Sequence, residues 1–283
     1  MSPKSDYRQG GERMTVARTA DAIAAVLRDQ IRDRELQPGD QLPTMDQLMT
    51  TYGVARATAL RALATLKAEG LAEYRAGRGG GTVVRARSTQ RMVRSRGIER
   101  DDMGYYSGPT VQHWRSVPGS ATTTVDRPAP DDIAELLGIP PGTSVLVRER
   151  MNGDPERPEL RQLTDSWLHP DIVAALPILR GSTGLGGTYD RIEEWAGRPI
   201  AWTEEITAAT PSPAEAEALL LPTGVPLLRV LRVSTLGRGK RAAVVEVQDI
   251  RMSGELFSVR YPVQRHGAAR WPVRPAGTDF YTD

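Results

Sequence analysis

The sequence predicts an α+β protein with two folded parts, and three observations predict it. The chain has 283 residues, 39% of them hydrophobic, which is enough for two cores of ordinary size. Residues 14–87 combine helical spacing of apolar side chains with a glycine-rich hairpin. Residues 128–261 contain two copies of a helix, a Pro/Gly turn and an apolar strand, which favours an antiparallel sheet.

These patterns divide the chain into a disordered N-terminal tail (1–13), a first folded part (14–87), a basic linker (88–103), a second folded part (104–262) and a C-terminal tail (263–283). The sequence contains no cysteine and no run of 18 apolar residues, so neither disulfides nor a membrane span are expected. The first residues lack the apolar segment of a secretory signal. A cytoplasmic protein is the interpretation that fits these features.

The first helix is predicted from Ile23, Leu27 and Ile31, which recur every four residues and therefore share one face. It should span roughly 17 residues and end near Arg34, because a Pro-Gly turn follows.

Two further helices follow closely. Thr44 is a good N-cap for a second helix, and Gly53 is placed to end it. A third helix is predicted from about Ala55 to Ala68, where Gly70 stops it. Two helices joined by a short glycine turn form a helix-turn-helix.

A hairpin is predicted after the third helix. Ala72–Tyr74 and Thr82–Arg85 can pair as strands on either side of an arginine-tipped loop, which forms a wing. Because the second helix of a helix-turn-helix enters the DNA major groove, this part is predicted to bind double-stranded DNA. The candidate contacts lie at the helix starts and on the wing: Thr44, Ala55, Arg56, Thr58, Arg61, Arg78 and Gly79.

The chemistry of these candidates differs. Arg56 suits a guanine edge or a phosphate, Thr58 a phosphate or a thymine methyl, and Arg61 a phosphate. Small residues such as Ala55 let the backbone approach the groove closely.

This segment resembles the winged helix-turn-helix of the GntR family of bacterial transcription regulators. The resemblance rests on Pro-Gly-x-x-Leu-Pro at 38–43, Val-x-Arg-x-Thr at 54–58, Glu-Gly-Leu at 69–71 and Arg-Gly-x-x-Thr-x-Val at 78–84. It implies a dimeric regulator, most often a repressor, that reads a near-palindromic operator. Asp46 and Leu60 stand where the family presents arginines, so the operator sequence is not carried over.

The region between 75 and 100 is strongly basic, with eight arginines and one acid, Glu99. Such a stripe beside a DNA-binding domain suits phosphates, although charge runs are also common in solvated linkers. We expect the linker to be exposed and able to follow the DNA backbone.

The second part carries an internal repeat. Pro130 matches Pro213, Gly142 matches Gly224, and Arg150 matches Arg232, so two equivalent units can share one antiparallel sheet. Residues 104–261 resemble the UTRA ligand-sensing domain of the HutC subfamily of GntR regulators. That resemblance implies a chorismate-lyase-like fold, a small-molecule effector and dimerisation through the sheet.

An effector site is predicted from charged residues on the strands. Arg148 and Arg150 are two apart and therefore share a face, and paired guanidiniums suit a carboxylate, a phosphate or a hydroxyl cluster. Glu246 lies between valines, where a charge needs a partner. Gly187 and Thr188 open a helix whose N–H groups suit an anion.

The UTRA resemblance adds Tyr106 and Ser107, which match a pair covering the pocket, and Thr164, which replaces a frequent glutamate. The favoured effector is anionic or hydroxyl-rich. Arg148, Arg150 and Glu246 would equally fit an internal ion pair that joins strands.

Other functions have less support in the sequence. No cofactor is expected, and no metal either, because the three histidines share no metal spacing. Hydrolase chemistry has no support, because no Gly-x-Ser-x-Gly is present. An enzyme is not expected: the resemblance includes a lyase-like fold, but the sequence offers no pairing of a nucleophile with a base. An effector-independent plasmid or genome-maintenance protein stays open because two arginines are missing. Four tryptophans are interpreted as core anchors: Trp114, Trp167, Trp195 and Trp202.

Overall fold

The computed structural model describes residues 18–77, 80–86, 91–94, 97–100, 106–107, 114–184, 187–237, 239 and 242–263. The predicted N-terminal tail and all but the first residue of the predicted C-terminal tail lie outside these ranges. Within the described ranges, no helix is long and apolar enough to cross a membrane.

Three helices form the N-terminal core: α1 (Ala20–Arg32), α2 (Met45–Tyr52) and α3 (Arg56–Ala68). Ile23 and Leu27 of α1 pack with Leu48 of α2 and with Leu63 and Leu66 of α3. This core buries the apolar faces that the sequence spacing predicts.

The predicted caps of α2 are confirmed. The Thr44 hydroxyl accepts a hydrogen bond from the Gln47 amide at 3.3 Å, and the Gln47 side chain accepts one from the Thr44 amide at 2.8 Å. Gly53 ends the helix in the left-handed conformation, with φ of 63°.

The predicted length of α1 is wrong. The helix has 13 residues rather than roughly 17, and it ends at Arg32 instead of near Arg34. The reason is local: Arg34 adopts a φ of 62°, and this left-handed conformation cannot continue a right-handed helix.

The wing forms as predicted. Strands β1 (Ala72–Arg75) and β2 (Gly81–Val84) pair antiparallel, with Ala72 opposite Val84. The helices and this hairpin together make the winged unit, residues 18–86. Arg78 and Gly79 at the wing tip lie outside the described residues.

Short strands cross the next part of the chain: β3 (Met92–Arg94), β4 (Glu99–Arg100) and β5 (Tyr106–Ser107). β4 pairs with β5, whereas β3 pairs in parallel with β13 (Phe257–Val259), near the end of the described chain.

The second part, which we call the sheet domain (residues 114–263), is built on seven antiparallel strands. They are β6 (Arg115–Ser116), β7 (Thr123–Pro128), β8 (Ser144–Gly153), β9 (Arg161–Leu168), β10 (Ile200–Ala209), β11 (Leu227–Leu236) and β12 (Ala243–Ser253). Their order is β10-β11-β12-β9-β8, with β6 and β7 both pairing with β8.

Helices cover both faces of the sheet. α4 (Asp131–Leu137) packs on one face against Val147, Trp167 and Val247. The other face packs against α5 (Pro170–Ala175), a 3₁₀ helix (Pro177–Arg180) and α6 (Gly187–Ala196). A further short helix, α7 (Pro213–Ala218), precedes β11.

The internal repeat is confirmed in the topology. α4 leads through a Pro/Gly turn into the hairpin β8–β9, and α7 leads likewise into the hairpin β11–β12. The two hairpins join antiparallel through β9 and β12 at the sheet centre.

One tryptophan assignment is wrong: Trp195 is 51% exposed, because α6 buries its first turns, and its last turn lies at the surface.

Candidate functional site

The predicted DNA contacts of α3 form an open surface. Ala55 is its N-cap and makes no side-chain capping bond, and Arg56, the first helical residue, is exposed. Thr58 is half-buried, and Arg61 is exposed one turn after Ala57. Neither arginine forms an ion pair with any residue in the described ranges, so both guanidiniums can meet phosphates or base edges. Thr44, by contrast, uses its hydroxyl as the α2 cap.

A row of polar side chains crosses five strands of the sheet domain. Strand register places Arg148 opposite Ser166, Ser166 opposite Gln248, Gln248 opposite Arg232, and Arg232 opposite Glu204. Directly opposed residues point to the same face, so this polar row faces α5 and α6. Polar side chains on a face that is otherwise core mark a candidate ligand site.

Arg148 and Arg150 lie on this face as predicted. Arg148 is 7% exposed, and its Nη1 donates to the carbonyls of Leu179 and Gly181, both at 2.7 Å. Burial, followed by the charge of Arg150, lowers the pKa of Arg148. Arg150 is half-buried and donates to the Ser166 hydroxyl at 2.7 Å.

Glu246 is fully buried in the neighbouring row, opposite Leu168 and Ser234. It accepts hydrogen bonds from the Ser234 hydroxyl and the Gln248 amide, each at 3.3 Å. Among the described residues it makes no ion pair with Arg148 or Arg150. The alternative of an internal ion pair between strands is therefore not what the geometry presents.

Three other predicted residues surround this face. Thr164 lies opposite Arg150 and accepts a hydrogen bond from the Gln162 amide at 2.9 Å. Gly187 and Thr188 form the start of α6, and Thr188 is buried. The anion hypothesis for the start of this helix stays a prediction.

Tyr106 closes one side of the site. Its ring packs edge-on against Tyr189 and Trp202, with centroids 5.8 and 5.6 Å away, and its hydroxyl donates to Glu193 of α6 at 2.8 Å. Burial and the bond to Glu193 raise the pKa of Tyr106. Ser107 follows it in β5, but its side chain lies outside the described set.

The expected exposure of the linker is wrong at Arg94. This side chain is 8% exposed and forms two hydrogen bonds with Glu204, at 2.8 and 2.7 Å. Glu204 also accepts from Arg232 at 2.7 Å. Although burial opposes it, the bonds from the two arginines lower the pKa of Glu204. Arg94 therefore extends the polar row instead of following DNA.

Arg100 is a second linker arginine that is bound to the sheet domain. It contacts Asp190 at 2.7 Å and Glu193 at 3.0 Å, and its guanidinium lies 3.9 Å from the Tyr106 ring centroid. Cation–π contacts of this kind hold an aromatic ring in place. The linker thus forms one wall of the candidate effector site.

The winged unit contacts the sheet domain at the far end of α3. Arg85 Nε donates to the Gly70 carbonyl at 2.7 Å, and Arg85 Nη1 pairs with Glu255 at 2.6 Å. A Cβ atom on Gly224 would lie 2.6 Å from the Ala68 carbonyl oxygen and even closer to the Gly70 amide nitrogen. We call this set, Gly70, Arg85, Gly224 and Glu255, the interdomain contact.

Family models match both parts of the chain. Residues 19–84 match the model described as bacterial regulatory proteins of the gntR family, and residues 116–258 match the UTRA domain. The chain belongs to the GntR family. Its two domains follow in the order that the HutC resemblance implies, and both are domains of transcriptional regulators rather than of enzymes.

Known relatives agree with this assignment. An HTH-type transcriptional regulator of Mycobacterium tuberculosis is 32% identical over 243 residues, which cover 85% of this chain and 84% of the relative. The HTH-type transcriptional repressor NagR of Bacillus subtilis is 26% identical, covering 77% and 84%. Among solved structures, the crystal structure of a protein assigned to the GntR-family transcriptional regulators superimposes on this chain with a TM-score of 0.58. The two sequences are 26% identical, and the match covers 87% of this chain and 98% of that one.

Sequence reasoning missed several polar residues in this GntR-family regulator. Ser166, Gln248, Arg232 and Glu204 were not predicted, nor was Arg94 as part of the site. One signal was available: Arg232 matches Arg150 in the internal repeat, so it should occupy an equivalent strand position. No metal site appears within the described ranges, since no three His, Asp or Glu residues cluster suitably.

The opposite face of the sheet has a groove of about 530 Å³. Its charges neutralise one another: Arg127 pairs with Glu149 and Asp165, and Arg251 pairs with Asp165 and Glu215. Buried donors without an acceptor among the described residues lie on both faces: the Nε of Arg148 and the indole N–H of Trp202 on the polar-row side, and the Nε of Arg127 and of Arg251 on the groove side.

Proposed function

We propose that this chain is a homodimeric repressor whose operator binding is controlled by an anionic small molecule in the sheet domain. One observation carries the proposal: Arg94 of the linker and Tyr106, three residues after the linker, form part of the candidate effector site. A ligand at this site cannot bind without meeting the segment that leads to the DNA-binding unit.

Charge supports an anionic effector. Around the candidate site lie five guanidiniums, against four carboxylates: Arg94, Arg100, Arg148, Arg150 and Arg232 against Asp190, Glu193, Glu204 and Glu246. Burial lowers the pKa of Arg148, and its Nε has no acceptor among the described residues, so an added negative charge nearby would stabilise its charged form. Carboxylate and phosphate oxygens are the acceptors that match guanidinium donors.

The proposed coupling runs through the linker. An anion near Arg232 would compete with Glu204 for the Arg232 guanidinium, and Glu204 also binds Arg94. A ligand beneath the Tyr106 ring would disturb the hydrogen bond from Tyr106 to Glu193. Either change alters the path of the linker. The effector then weakens operator binding only if it binds the DNA-free arrangement more tightly than the DNA-bound one.

The proposed dimer would form through the sheet domain and place two winged units on one operator in the cytoplasm. Support comes from β10, an edge strand of ten residues whose side chains are mostly exposed. Such an edge has unpaired backbone groups available to a second copy. Two units related by symmetry would read half-sites of a near-palindrome.

The test uses the full-length chain, an operator selected from random DNA, and a panel of sugar phosphates, dicarboxylates and amino acids. At least one compound should raise the unfolding temperature and lower operator affinity. Arg150→Ala should lose both responses and keep its affinity for DNA without compound. Arg157→Ala, at an exposed pair with Glu159, is the matched control and should keep both responses.

Two results would contradict the proposal. If Arg150→Ala unfolds and loses DNA binding without any compound, the arginine is structural. If no compound affects the wild type, an effector-independent DNA-binding protein becomes the better interpretation.

A further inference from the structure

The side of α3 that faces away from the core carries an apolar stripe between its arginines. Its buried side consists of Ala59, Ala62, Leu63 and Leu66. Spacings of three and four residues place Ala57, Leu60, Ala64 and Ala68 on the exposed side, together with Arg61. A helix that is apolar on both sides is normally covered on both sides.

Leu60 is the large apolar residue of this exposed stripe. It is 57% exposed and takes no part in the hydrophobic core of the winged unit. A single exposed leucine is ordinary on a protein surface. Here, however, it stands in a row with Ala57, Ala64 and Ala68, and the core of the winged unit does not account for it.

The charges around the stripe indicate what covers it. The α3 sequence contains Arg56, Arg61 and Lys67 and no acidic residue. A partner for this face must therefore offer negative charge and an apolar group together. The DNA major groove offers both, because phosphates line it and the C5-methyl of thymine projects into it.

Side-chain size fits the groove. A helix with its side chains is about 10–12 Å in diameter, and the major groove is about 12 Å wide. Ala57 and Ala64 keep the helix narrow on either side of Leu60. Among the apolar side chains of the stripe, Leu60 is thus the one long enough to reach the base edges while the helix backbone stays near the groove floor.

We propose that Leu60 contacts the C5-methyl group of a thymine in each operator half-site. The inference rests on the proposed operator binding and names a base that the operator must contain. Part of the specificity of this regulator then comes from an apolar contact, and Arg56 and Arg61 supply the polar ones.

The test removes only the methyl group. An operator is selected from random duplex DNA with the full-length chain, and each thymine is replaced in turn by deoxyuridine. One thymine in each half-site should lose about fourfold in affinity, the value of one buried methylene-sized group. This scan needs no variant protein.

Two variants make the assignment specific. Leu60→Ala should bind the operator more weakly and no longer distinguish thymine from deoxyuridine at that position. Leu220→Ala, a leucine of the sheet domain that is 51% exposed, is the matched control and should retain the full difference. Leu60→Arg should shift the selected base toward guanine, which arginine reads through O6 and N7.

The inference is overturned if every deoxyuridine is tolerated, or if Leu60→Ala keeps the same methyl dependence. In both cases operator binding itself would stand, because a selected operator would already exist. A selection that yields no preferred sequence would overturn this inference and the proposed repressor function together.

Discussion

The two ends of α3 have opposite surroundings. At its start, Arg56 and the N-cap residue Ala55, which makes no side-chain capping bond, are exposed to solvent. At its end, Gly70 is enclosed by Arg85 and by the backbone of Gly224 in the sheet domain. One helix of 13 residues therefore connects an open DNA-facing surface with a closed contact to the domain that carries the candidate effector site.

The two ends of α3 suggest a route by which a signal crosses the molecule. A helix is a stiff element, so a shift of its closed end is transmitted to its open end with little loss. The DNA-facing residues do not need their own connection to the effector.

Arg85→Ala should have the largest effect, because it breaks the closed end. The Arg85 side chain is 6% exposed and that of Glu255 is 13% exposed, so removing the arginine leaves a buried carboxylate without this partner. Loss of one member of a buried pair costs about 3–5 kcal/mol of stability. Chemical denaturation followed by circular dichroism would measure the loss in the free energy of unfolding.

Arg75→Ala is the matched control, since it breaks an exposed pair with Glu73 on the wing. Exposed pairs contribute about 0–1 kcal/mol, so this variant should unfold almost like the wild type. Equal losses in the two variants would show that the interdomain contact is not closed in solution.

The sequence predicts best those features whose residues lie close together in the chain. The Thr44 cap, the Gly53 helix end and the β1–β2 hairpin depend on residues close together in the chain, and local patterns identify them. The repeat in the sheet domain was also visible, because each copy is marked by its own Pro/Gly turn.

The linker could not be predicted in this way. Arg94 and Arg100 look like other arginines of a basic stripe, but their partners Glu204 and Asp190 lie 110 and 90 residues further along the chain. Only the tertiary fold brings these pairs together. For the same reason, the pattern on β8 identified Arg148 and Arg150, whereas Ser166, Gln248 and Glu204 required the strand register.

Gly224→Ala should have the next largest effect. A Cβ here would overlap backbone atoms of Ala68 and Gly70, which cannot move aside as a side chain can. Its repeat counterpart Gly142 has a similar φ, 74° against 79°, with nothing within 4 Å of an added Cβ. Both Gly→Ala variants should lose about 1 kcal/mol of folding stability, because alanine disfavours this backbone conformation.

Only Gly224→Ala should lose about 1–3 kcal/mol more, through the overlap. Chemical denaturation measures the free energy of unfolding of both variants. The difference between the two values gives the contribution of the interdomain contact, because the backbone strain is common to both. Identical losses would mean that the two domains do not approach each other at Gly70.

The smallest effects should come from single changes at the open end, and they should differ in kind. Arg61→Ala should reduce the salt dependence of operator affinity by about one unit of the log–log slope, as expected for one lost phosphate contact. Arg56→Ala should cost about 1–3 kcal/mol of operator affinity and relax the preference at one base pair if it reads a guanine. Titrations at several salt concentrations, with operator and random DNA, separate the two.

If both variants only lower the salt slope, α3 contacts phosphates alone at these positions, and sequence recognition must come from its apolar stripe and the wing. Because neither arginine has an ion pair within the described ranges, neither variant should change the free energy of unfolding by more than a few tenths of a kcal/mol. That separation of binding from stability is what distinguishes the open end of α3 from the closed one.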